Sequence, residues 1–247
     1  MVKDTRLVWD LPTRLFHWLF VLTIVSLYFT AQPGDPTWMP WHFRLGYFAL
    51  GLLLFRLIWG FIGPRHARFV NFLRGPGPIL QYMKGGIKAV GHNPMGGWMV
   101  VLMLVLVGVQ VSTGLFSTDD IAFTGPYNPV ADTGWVARLA GWASRIYFVH
   151  ADGAAEKLTA IHHRNFYFFI LTAVALHLCA ITVYSFFFKE KLVPAMIHGH
   201  KDAEHVPAGE AISDHQLVKA LIVSVIVAAA VWYLVHAAPP PAPVSFN

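Results

Sequence analysis

Four histidines lie within or at the ends of long apolar stretches of this 247-residue sequence: His17, His42, His163 and His177. Imidazole is a common axial ligand of haem iron. His163 and His177 are fourteen residues apart, which is almost four turns of an α-helix at ~3.6 residues per turn. Both side chains then share one helix face and are ~21 Å apart along the axis. If His17 and His42 supply the opposite ligands from two other helices, the spacing predicts two bis-histidine haems.

The composition is that of a membrane protein that crosses the bilayer several times. Hydrophobic residues make up 56% of the chain and charged residues only 13%, whereas about a quarter of residues are charged in typical soluble domains. Five stretches approach or exceed the ~20 apolar residues that cross a ~30 Å hydrocarbon core. No small-residue cleavage site follows the first stretch, so we expect no removable signal peptide. The predicted spans are Arg14–Thr30, His42–Ile62, Gly97–Phe116, Phe166–Phe188 and Leu217–Val235.

The distribution of lysine and arginine in the short loops predicts the orientation. The loop between the second and third spans has five basic residues and no acidic one, whereas residues 31–41 contain Asp35 and no basic residue. We therefore expect a cytoplasmic amino terminus and, after five spans, a periplasmic carboxyl terminus. The net charge of +5 reflects this bias, so it indicates no nucleic-acid partner. The five basic residues are Arg65, Arg68, Arg74, Lys84 and Lys88.

Cysteine usage restricts the type of haem. Cys179, inside the fourth span, is the only cysteine, which excludes both a disulfide within the chain and a Cys-x-x-Cys-His attachment motif. Any haem is therefore b-type and is held by ligation and packing alone. We expect Cys179 itself to be an inert packing residue, because thiols in apolar surroundings react poorly.

The depth of each histidine in the membrane predicts how the four are paired. His42 and His163 open their spans at the outer face, whereas His17 and His177 lie towards the inner face, so the predicted pairs are His42/His163 and His17/His177. Any one of them alone could be an interfacial polar residue, but ionisable groups within spans are costly and usually functional. His162 is adjacent to His163 and points ~100° away on an α-helix. His163 is preferred because only it is in phase with His177.

Arg56 follows His42 by fourteen residues and shares its helix face at the depth of the inner haem. Its guanidinium could pair with haem propionates, or it could snorkel to the cytoplasmic surface. Gly46 and Gly60 are in or near phase with His42. They would let a flat macrocycle approach the backbone, and close helix packing explains them equally well.

Several motifs occur in an order that can be compared with known families. They are Val8-Trp-Asp-Leu-Pro-Thr-Arg-Leu-Phe-His17-Trp18, His42-Phe-Arg-Leu-Gly-Tyr47, Leu54-Phe-Arg56-Leu-Ile-Trp59-Gly-Phe-Ile-Gly63-Pro-Arg-His-Ala-Arg68, Gly91-His-Asn-Pro-Met-Gly-Gly-Trp98, and the pair His163 and His177. Together they resemble the bacterial cytochrome b561 superfamily, and most of all its branch related to the cytochrome b subunit of nickel–iron hydrogenases. The resemblance covers about residues 6–116 and 154–200.

The resemblance implies a bacterial inner-membrane cytochrome that carries two haem b groups on the four matching histidines. It also implies a quinone near the inner haem, lined by the loop that enters the third span, where the matching residues are His92, Asn93 and Gly96. Asn93-Pro94 is a turn-forming pair, and the Asn93 amide could hydrogen-bond a quinone carbonyl. An ordinary helix N-cap is the alternative role for Asn93.

The expected fold is all-α: an integral-membrane four-helix haem-binding bundle with a fifth, C-terminal transmembrane helix. Residues 1–190 form the di-haem domain, including a periplasmic segment, 117–161. Residues 191–247 form a cytoplasmic loop, the fifth span and a periplasmic Pro-rich tail. Apolar residues from Trp135 to Ile146 recur at helical spacing, which predicts a helix lying on the membrane surface or docking a periplasmic partner. We expect the histidine-rich segment His198–Gln216 to be a solvated loop.

Three classes of function are compatible with these features. The favoured one is an electron-transfer subunit that connects the quinone pool with a periplasmic c-type cytochrome, hydrogenase or dehydrogenase. The alternative is a self-contained quinol-linked oxidoreductase that acts on a small oxidant such as superoxide, for which Arg138, Arg145 and Arg164 would line the outer haem. A metal transporter would need polar or broken helices near the midplane. The continuous apolar spans count against transport.

Overall fold

The computed structural model describes residues 4–31, 36–85, 89–116 and 154–236. In this part of the chain, five helices are long and apolar enough to cross a membrane, which confirms the predicted all-α membrane fold and the number of spans. The first three and the fifth begin within three residues of their predicted starts, and the fourth begins earlier. The five are Leu11–Thr30, Met39–Ile62, Pro94–Leu115, Lys157–Phe186 and Leu217–Val235.

Short elements connect these helices. The strands are β1 (Thr5–Leu7) and β2 (His200–Asp202). The helices are α1 (Leu11–Thr30), α2 (Met39–Ile62), α3 (Phe69–Phe72), α4 (Pro76–Met83), α5 (Pro94–Phe116), α6 (Ala154–Arg164), α7 (Leu171–Phe186), α8 (Leu192–His198) and α9 (Leu217–His236). Three 3₁₀ turns occupy Pro36–Trp38, Ala203–His205 and Ala208–Glu210.

The fourth span is a continuous helix with a change of winding in its middle. A π-helical turn, Asn165–Ile170, joins α6 to α7, and the residues on either side of it keep α-helical dihedral angles. The segment 117–161, predicted to be periplasmic, therefore ends in helix from Ala154 onwards. The remainder of that segment lies outside the described residues, with the predicted surface helix, Arg138 and Arg145.

A buried carboxylate fixes the start of α1 against α2. Asp10 precedes α1 and is its N-cap: one carboxylate oxygen accepts from the Thr13 backbone N–H at 2.9 Å and the other from the Thr13 hydroxyl at 2.7 Å. The indole N–H of Trp59, in α2, donates to the same carboxylate at 3.1 Å. Asp10 and Trp59 are almost completely buried. Because each hydrogen bond satisfies a buried polar group, these contacts hold the first two spans in one relative position.

The fifth span packs against the outside of α2. Gly51 of α2 faces α9, because a Cβ there would lie in ordinary van der Waals contact with Val227 of α9, at 3.9 Å. The buried contact continues towards the end of α2, where Phe55 and Trp59 meet Ala220 and Val223. In an α-helix, Gly51 is about half a turn away from His42 at ~100° per residue. α9 therefore covers the face of α2 that points away from the histidines.

The outward faces of the long helices are apolar. Large exposed side chains include Phe29 on α1, Phe168 in the fourth span, and Leu221 and Trp232 on α9. Soluble proteins rarely expose continuous apolar surface of this extent. These faces are suited to contact with lipid chains.

A structured cap covers the end of the bundle from which α1 begins; it comprises residues 4–10, 63–85, 89–93 and 187–216. β1 pairs with β2 in antiparallel register, with Arg6 opposite Lys201. Val8, Trp9, Ala195 and Val206 form its small buried cluster. The segment expected to be a solvated loop thus contains a strand and two 3₁₀ turns. This segment is ordered because of tertiary contacts: Val206, within it, is buried against Val8 and Trp9 from the start of the chain.

Candidate metal centres

His42 lies in the first turn of α2, at the end of the bundle opposite the cap. Its Nδ1 is 3.1 Å from the carbonyl oxygen of Leu27 and 3.3 Å from the hydroxyl of Thr30, both on α1. A carbonyl only accepts, so Nδ1 carries the hydrogen and Nε2 carries the lone pair. This is the arrangement found in metal-ligating histidines, where a carbonyl orients the ring through the other nitrogen.

His162, in the last turn of α6, is held by α5 in the same way. Its Nδ1 is 3.0 Å from the carbonyl oxygen of Gln110 and 3.3 Å from the Thr113 hydroxyl. Its Nε2 lies 2.9 Å from the side-chain nitrogen of Gln110. Gly114 leaves room for the ring, since a Cβ there would be 2.8 Å from its Cε1. His162 therefore also presents the Nε2 lone pair, which the Gln110 amide satisfies in this structure.

The structure brings His42 and His162 together. Their ring centres are 6.4 Å apart and the ring planes are 80° apart. Metal–imidazole bonds of about 2 Å put two ligating nitrogens about 4 Å apart and the ring centres about 6 Å apart. The observed ring spacing would suit one metal between the two rings, provided that the Gln110 amide moves away from the Nε2 of His162. His163, the residue that the sequence pairs with His42, is exposed, with its ring centre 5.8 Å from that of His162.

His17 and His177 form a second pair, nearer the cap. Both side chains are half-buried, and the two imidazoles are close enough to interact electrostatically. The Nδ1 of His17 is buried and has no hydrogen-bond partner among the described residues. A buried polar atom without a partner costs free energy and is often explained by an ion or ligand. The two side chains are therefore within electrostatic range of each other, and their pairing around one haem stays a prediction.

Arg56 is buried by the cap and does not snorkel. Its side chain is only 3% exposed. The guanidinium carbon lies 4.9 Å from the ring centre of Phe69 and 5.9 Å from that of Phe72. Its Nη1 is buried without a hydrogen-bond partner among the described residues. Gly60 makes room for Phe69, because a Cβ there would lie 2.0 Å from the Phe69 ring. Gly60 thus serves packing of the cap, and one nitrogen of Arg56 is left for a further acceptor.

Asn93 is the N-cap of α5. Its side-chain oxygen accepts from the Gly96 backbone N–H at 2.6 Å. Asn93 and Tyr184, near the end of α7, both influence the Tyr82 hydroxyl of α4. Burial, followed by the hydrogen bond to Tyr184, raises the pKa of Tyr82. A cluster of neutral polar groups therefore lies where α4, α5 and α7 meet the cap.

A cavity of about 300 Å³ opens beside His92. The His92 ring packs on Trp9 and Phe72, with ring centres at 4.7 and 4.5 Å. Its Nδ1 is buried without a partner among the described residues. Burial first, and then the positive charge of Arg56, lowers the pKa of His92 to about 3. His92 is therefore neutral at physiological pH. Residues around the cavity include Arg65, His66, Phe72, Arg74 and Glu210.

At the edge of this cavity a second histidine joins the two halves of the cap. The Nε2 of His66 is 2.7 Å from the carbonyl oxygen of Glu210. Burial lowers the pKa of His66, and the hydrogen bond to Glu210 partly opposes that effect. Arg65 forms an exposed ion pair with the Glu210 carboxylate, of a kind that contributes ~0–1 kcal/mol.

A model of prokaryotic cytochrome b561 sequences matches residues 8–199. The chain belongs to the prokaryotic cytochrome b561 family. As a member of this family it is a b-type cytochrome, its cofactor is haem b, and it is a multi-pass bacterial membrane protein that takes part in electron transport. The family resemblance stated from the sequence motifs is confirmed.

Known relatives in the family cover most of the chain. One from Azotobacter chroococcum mcd 1 is 23% identical over 224 residues, which span 78% of this chain and 86% of the relative. One from Rhizobium leguminosarum bv. viciae is 25% identical over 228 residues, with 81% and 90% covered. One from Rhodobacter capsulatus is 24% identical over 228 residues, with 78% and 80% covered. Each is named "Probable Ni/Fe-hydrogenase B-type cytochrome subunit". No solved structure matches the chain.

The residues present fit the haem of a cytochrome b561. The ring spacing of His42 and His162 suits ligation from both sides, and the buried Nη1 of Arg56, which could pair with a propionate, has no partner among the described residues. A Cβ added at Gly46, one turn after His42 on the same face, would meet nothing within 4 Å. Open space next to a candidate ligand is what a macrocycle needs.

Two polar residues, one in α5 and one in the fourth span, were not predicted from the sequence to contribute to the site. Gln110 and Asn165 lie within apolar spans, and they bond to each other and to the surroundings of His162. The signal was present, because polar groups inside spans are costly and mark functional or structural sites. Asp10 and Trp59 carried no comparable signal, since their contact joins residues far apart in the sequence.

Proposed function

We propose that this cytochrome relays electrons across the membrane through two b haems, one at each end of the four-helix bundle. The proposal is supported by the 6.4 Å distance between the ring centres of His42 and His162 and, near the cap, by the electrostatic interaction of His177 with His17. His17 and His177 hold the inner haem. His42 and a histidine at the end of α6 hold the outer one. Bound haem b supplies a one-electron iron couple at each pair.

The spacing of the pairs suits a relay. About fifteen residues of helix separate the two ligands on the fourth span, which corresponds to roughly 20 Å at 1.5 Å per residue. Two histidines per iron leave no open coordination position, which suits electron transfer rather than chemistry on oxygen. The chain then positions and insulates the two couples, and it performs no substrate chemistry of its own.

We propose a quinone site on the cap side, close to the inner pair. The cavity beside His92 and the polar cluster of Asn93, Tyr82 and Tyr184 support it, because quinone carbonyls need hydrogen-bond donors in an otherwise apolar site. His92 interacts electrostatically with His17, so the cavity is near the inner haem. Arg56 has one nitrogen without a partner among the described residues, and it is the candidate donor for an inner-haem propionate.

We propose a cytoplasmic cap and a periplasmic redox partner. The basic residues Arg65, Arg68 and Arg74 all belong to the cap side, and short loops with such residues stay in the cytoplasm. The names of the relatives favour a nickel–iron hydrogenase as the partner over a c-type cytochrome or another dehydrogenase. The partner would then exchange electrons with the outer haem.

Two single-haem variants test the direction of access. His42→Ala should keep only the inner haem and His177→Ala only the outer one, because each change removes one axial ligand. When a short-chain quinol is mixed with the oxidised proteins, stopped-flow absorbance should show the His42→Ala haem reduced at near the wild-type rate. The haem of His177→Ala should be reduced at least tenfold more slowly. Equal rates in the two variants would contradict quinone access at the inner haem.

A further inference from the structure

We infer that His162, and not His163, is the fourth-span ligand of the outer haem, because the π-turn between the two haem levels changes the phase of the helix. This inference rests on the two-haem function proposed above and assigns one of its four ligands. The juxtaposition that carries it is the 6.4 Å approach of the His42 and His162 rings.

The sequence favours His163 over His162 only if the fourth span is a regular α-helix, and the π-turn changes that preference. In a regular α-helix, His163 and His177 share a face and His162 points ~100° away. The six residues Asn165–Ile170 instead form a π-turn. A π-turn closes hydrogen bonds from i to i+5 and so takes up about one residue more than an α-turn. His162 and His177 are fifteen residues apart. With the π-turn between them, those fifteen residues rotate the chain about as far as fourteen residues of α-helix, so the two side chains share one helix face.

Asn165 shows why the π-turn occurs there. It is 5% exposed, and its side-chain nitrogen donates to the carbonyl of Leu106 and to the side-chain oxygen of Gln110, both at 2.9 Å. These bonds turn Asn165 towards α5, and they also orient Gln110, whose backbone carbonyl holds the Nδ1 of His162. One polar network therefore stabilises the change in winding and aligns the imidazole.

The two adjacent histidines have different surroundings. His162 is half-buried against α5, with its ring centre 6.4 Å from that of His42, its Nδ1 on the Gln110 carbonyl and its Nε2 accepting from the Gln110 side-chain amide, which ligation of iron would displace. His163 is exposed, as is its neighbour Arg164. A ligand must reach the bundle interior with a fixed tautomer. The His162 ring lies against α5 with Nδ1 held by a carbonyl, whereas the His163 side chain is exposed.

The test compares the two adjacent histidines in the full-length protein. Haem per chain is measured by pyridine haemochrome, together with low-temperature EPR, on His162→Ala and His163→Ala. We expect His162→Ala to retain about half of the wild-type haem and to lose one of two low-spin signals. His163→Ala should keep both haems with unchanged g-values. Loss of one haem in His163→Ala, or retention of both in His162→Ala, would overturn the assignment.

A methionine substitution separates ligation from a structural role. His162→Met offers a thioether that can ligate haem iron and raise its potential, so a redox titration should show one of two midpoints raised and the other unchanged. His163→Met should leave both midpoints in place. Two unchanged midpoints in His162→Met would mean that this imidazole only packs against α5. A wild-type protein with no haem would instead refute the proposed function itself.

Discussion

At the scale of single residues, buried polar atoms divide into those with partners and those without. Asp10 is fully bonded, and its role is to lock α1 to α2. The Nδ1 of His17 and one nitrogen of Arg56 are buried without partners in the described part of the chain. Unpartnered buried groups are rare in stable proteins, and the Arg56 nitrogen is our candidate donor to a propionate of the proposed inner haem. The Nε of Arg14 and the Nδ1 of His92 are also buried without partners in the described part of the chain.

His92 makes the stability of the protein depend on pH. Its pKa is about 3 in the folded chain and 6.5 as the ordinary value. As the pH falls below 6.5, the unfolded chain gains a proton that the folded chain does not, so stability is lost. We expect His92→Gln to remove part of this loss. From pH 7.5 to pH 5 the melting temperature of the wild type should therefore fall further than that of the variant.

The control for this experiment is His205→Gln, at an exposed position of the cap. Its melting temperature should follow that of the wild type at both pH values. A constant gap between wild type and His92→Gln would show that protonation of His92 does not contribute to acid destabilisation. Circular dichroism in detergent is sufficient to follow unfolding.

At the scale of elements, the fourth span shows what a sequence pattern can and cannot predict. All five spans follow from apolar runs of sufficient length, whereas the predicted pairing of His17 with His177 depends on their depth in the membrane and stays a prediction. The π-turn does not follow, because residues 154–186 contain no glycine or proline to interrupt the helix. Asn165 stabilises the π-turn through hydrogen bonds to α5. Such tertiary contacts leave no recognisable pattern in the sequence of the fourth span itself. The choice between His162 and His163 depends on that one turn.

A deletion within the π-turn should preserve the outer haem. Removing Phe168, which is exposed, lets the span wind as a regular α-helix with fourteen residues between His162 and His177, so His162 stays in phase. Inserting an alanine after Phe168 is the matched change and rotates His162 by ~100° relative to His177. We expect two haems per chain in the deletion and one in the insertion, measured by pyridine haemochrome. Equal haem content would contradict the phase argument.

At the scale of the whole molecule, the two faces of α2 have different roles: one carries a candidate haem ligand and the other packs against α9. One face carries His42, Gly46 and the buried Arg56, and the opposite face packs on α9 through Gly51. The fifth helix therefore contributes packing and remains outside the histidine pairs. The cap covers the end of the bundle from which α1 begins. In it, β1 near the start of the chain pairs with β2 in residues 192–216, although the two segments are far apart in the sequence.

Two glycine substitutions test this separation. Gly46→Leu should fill the open space one turn from His42 and reduce haem from two to about one per chain. Gly51→Leu should overpack the contact with Val227, costing about 1–3 kcal/mol of stability, and should keep both haems. Haem content and thermal unfolding in detergent are measured on each variant. Loss of haem in Gly51→Leu with retention in Gly46→Leu would contradict the assignment of the two faces.

We propose that one chain holds two b haems, each between two histidines from different helices. The haem-to-protein ratio of the purified wild type tests this, with a reduced-minus-oxidised spectrum and the same ratio for His177→Ala. We expect two b haems per chain in the wild type and one in the variant, with the exposed His205→Ala unchanged. A ratio of one or zero in the wild type, or an unchanged ratio in His177→Ala, would contradict it.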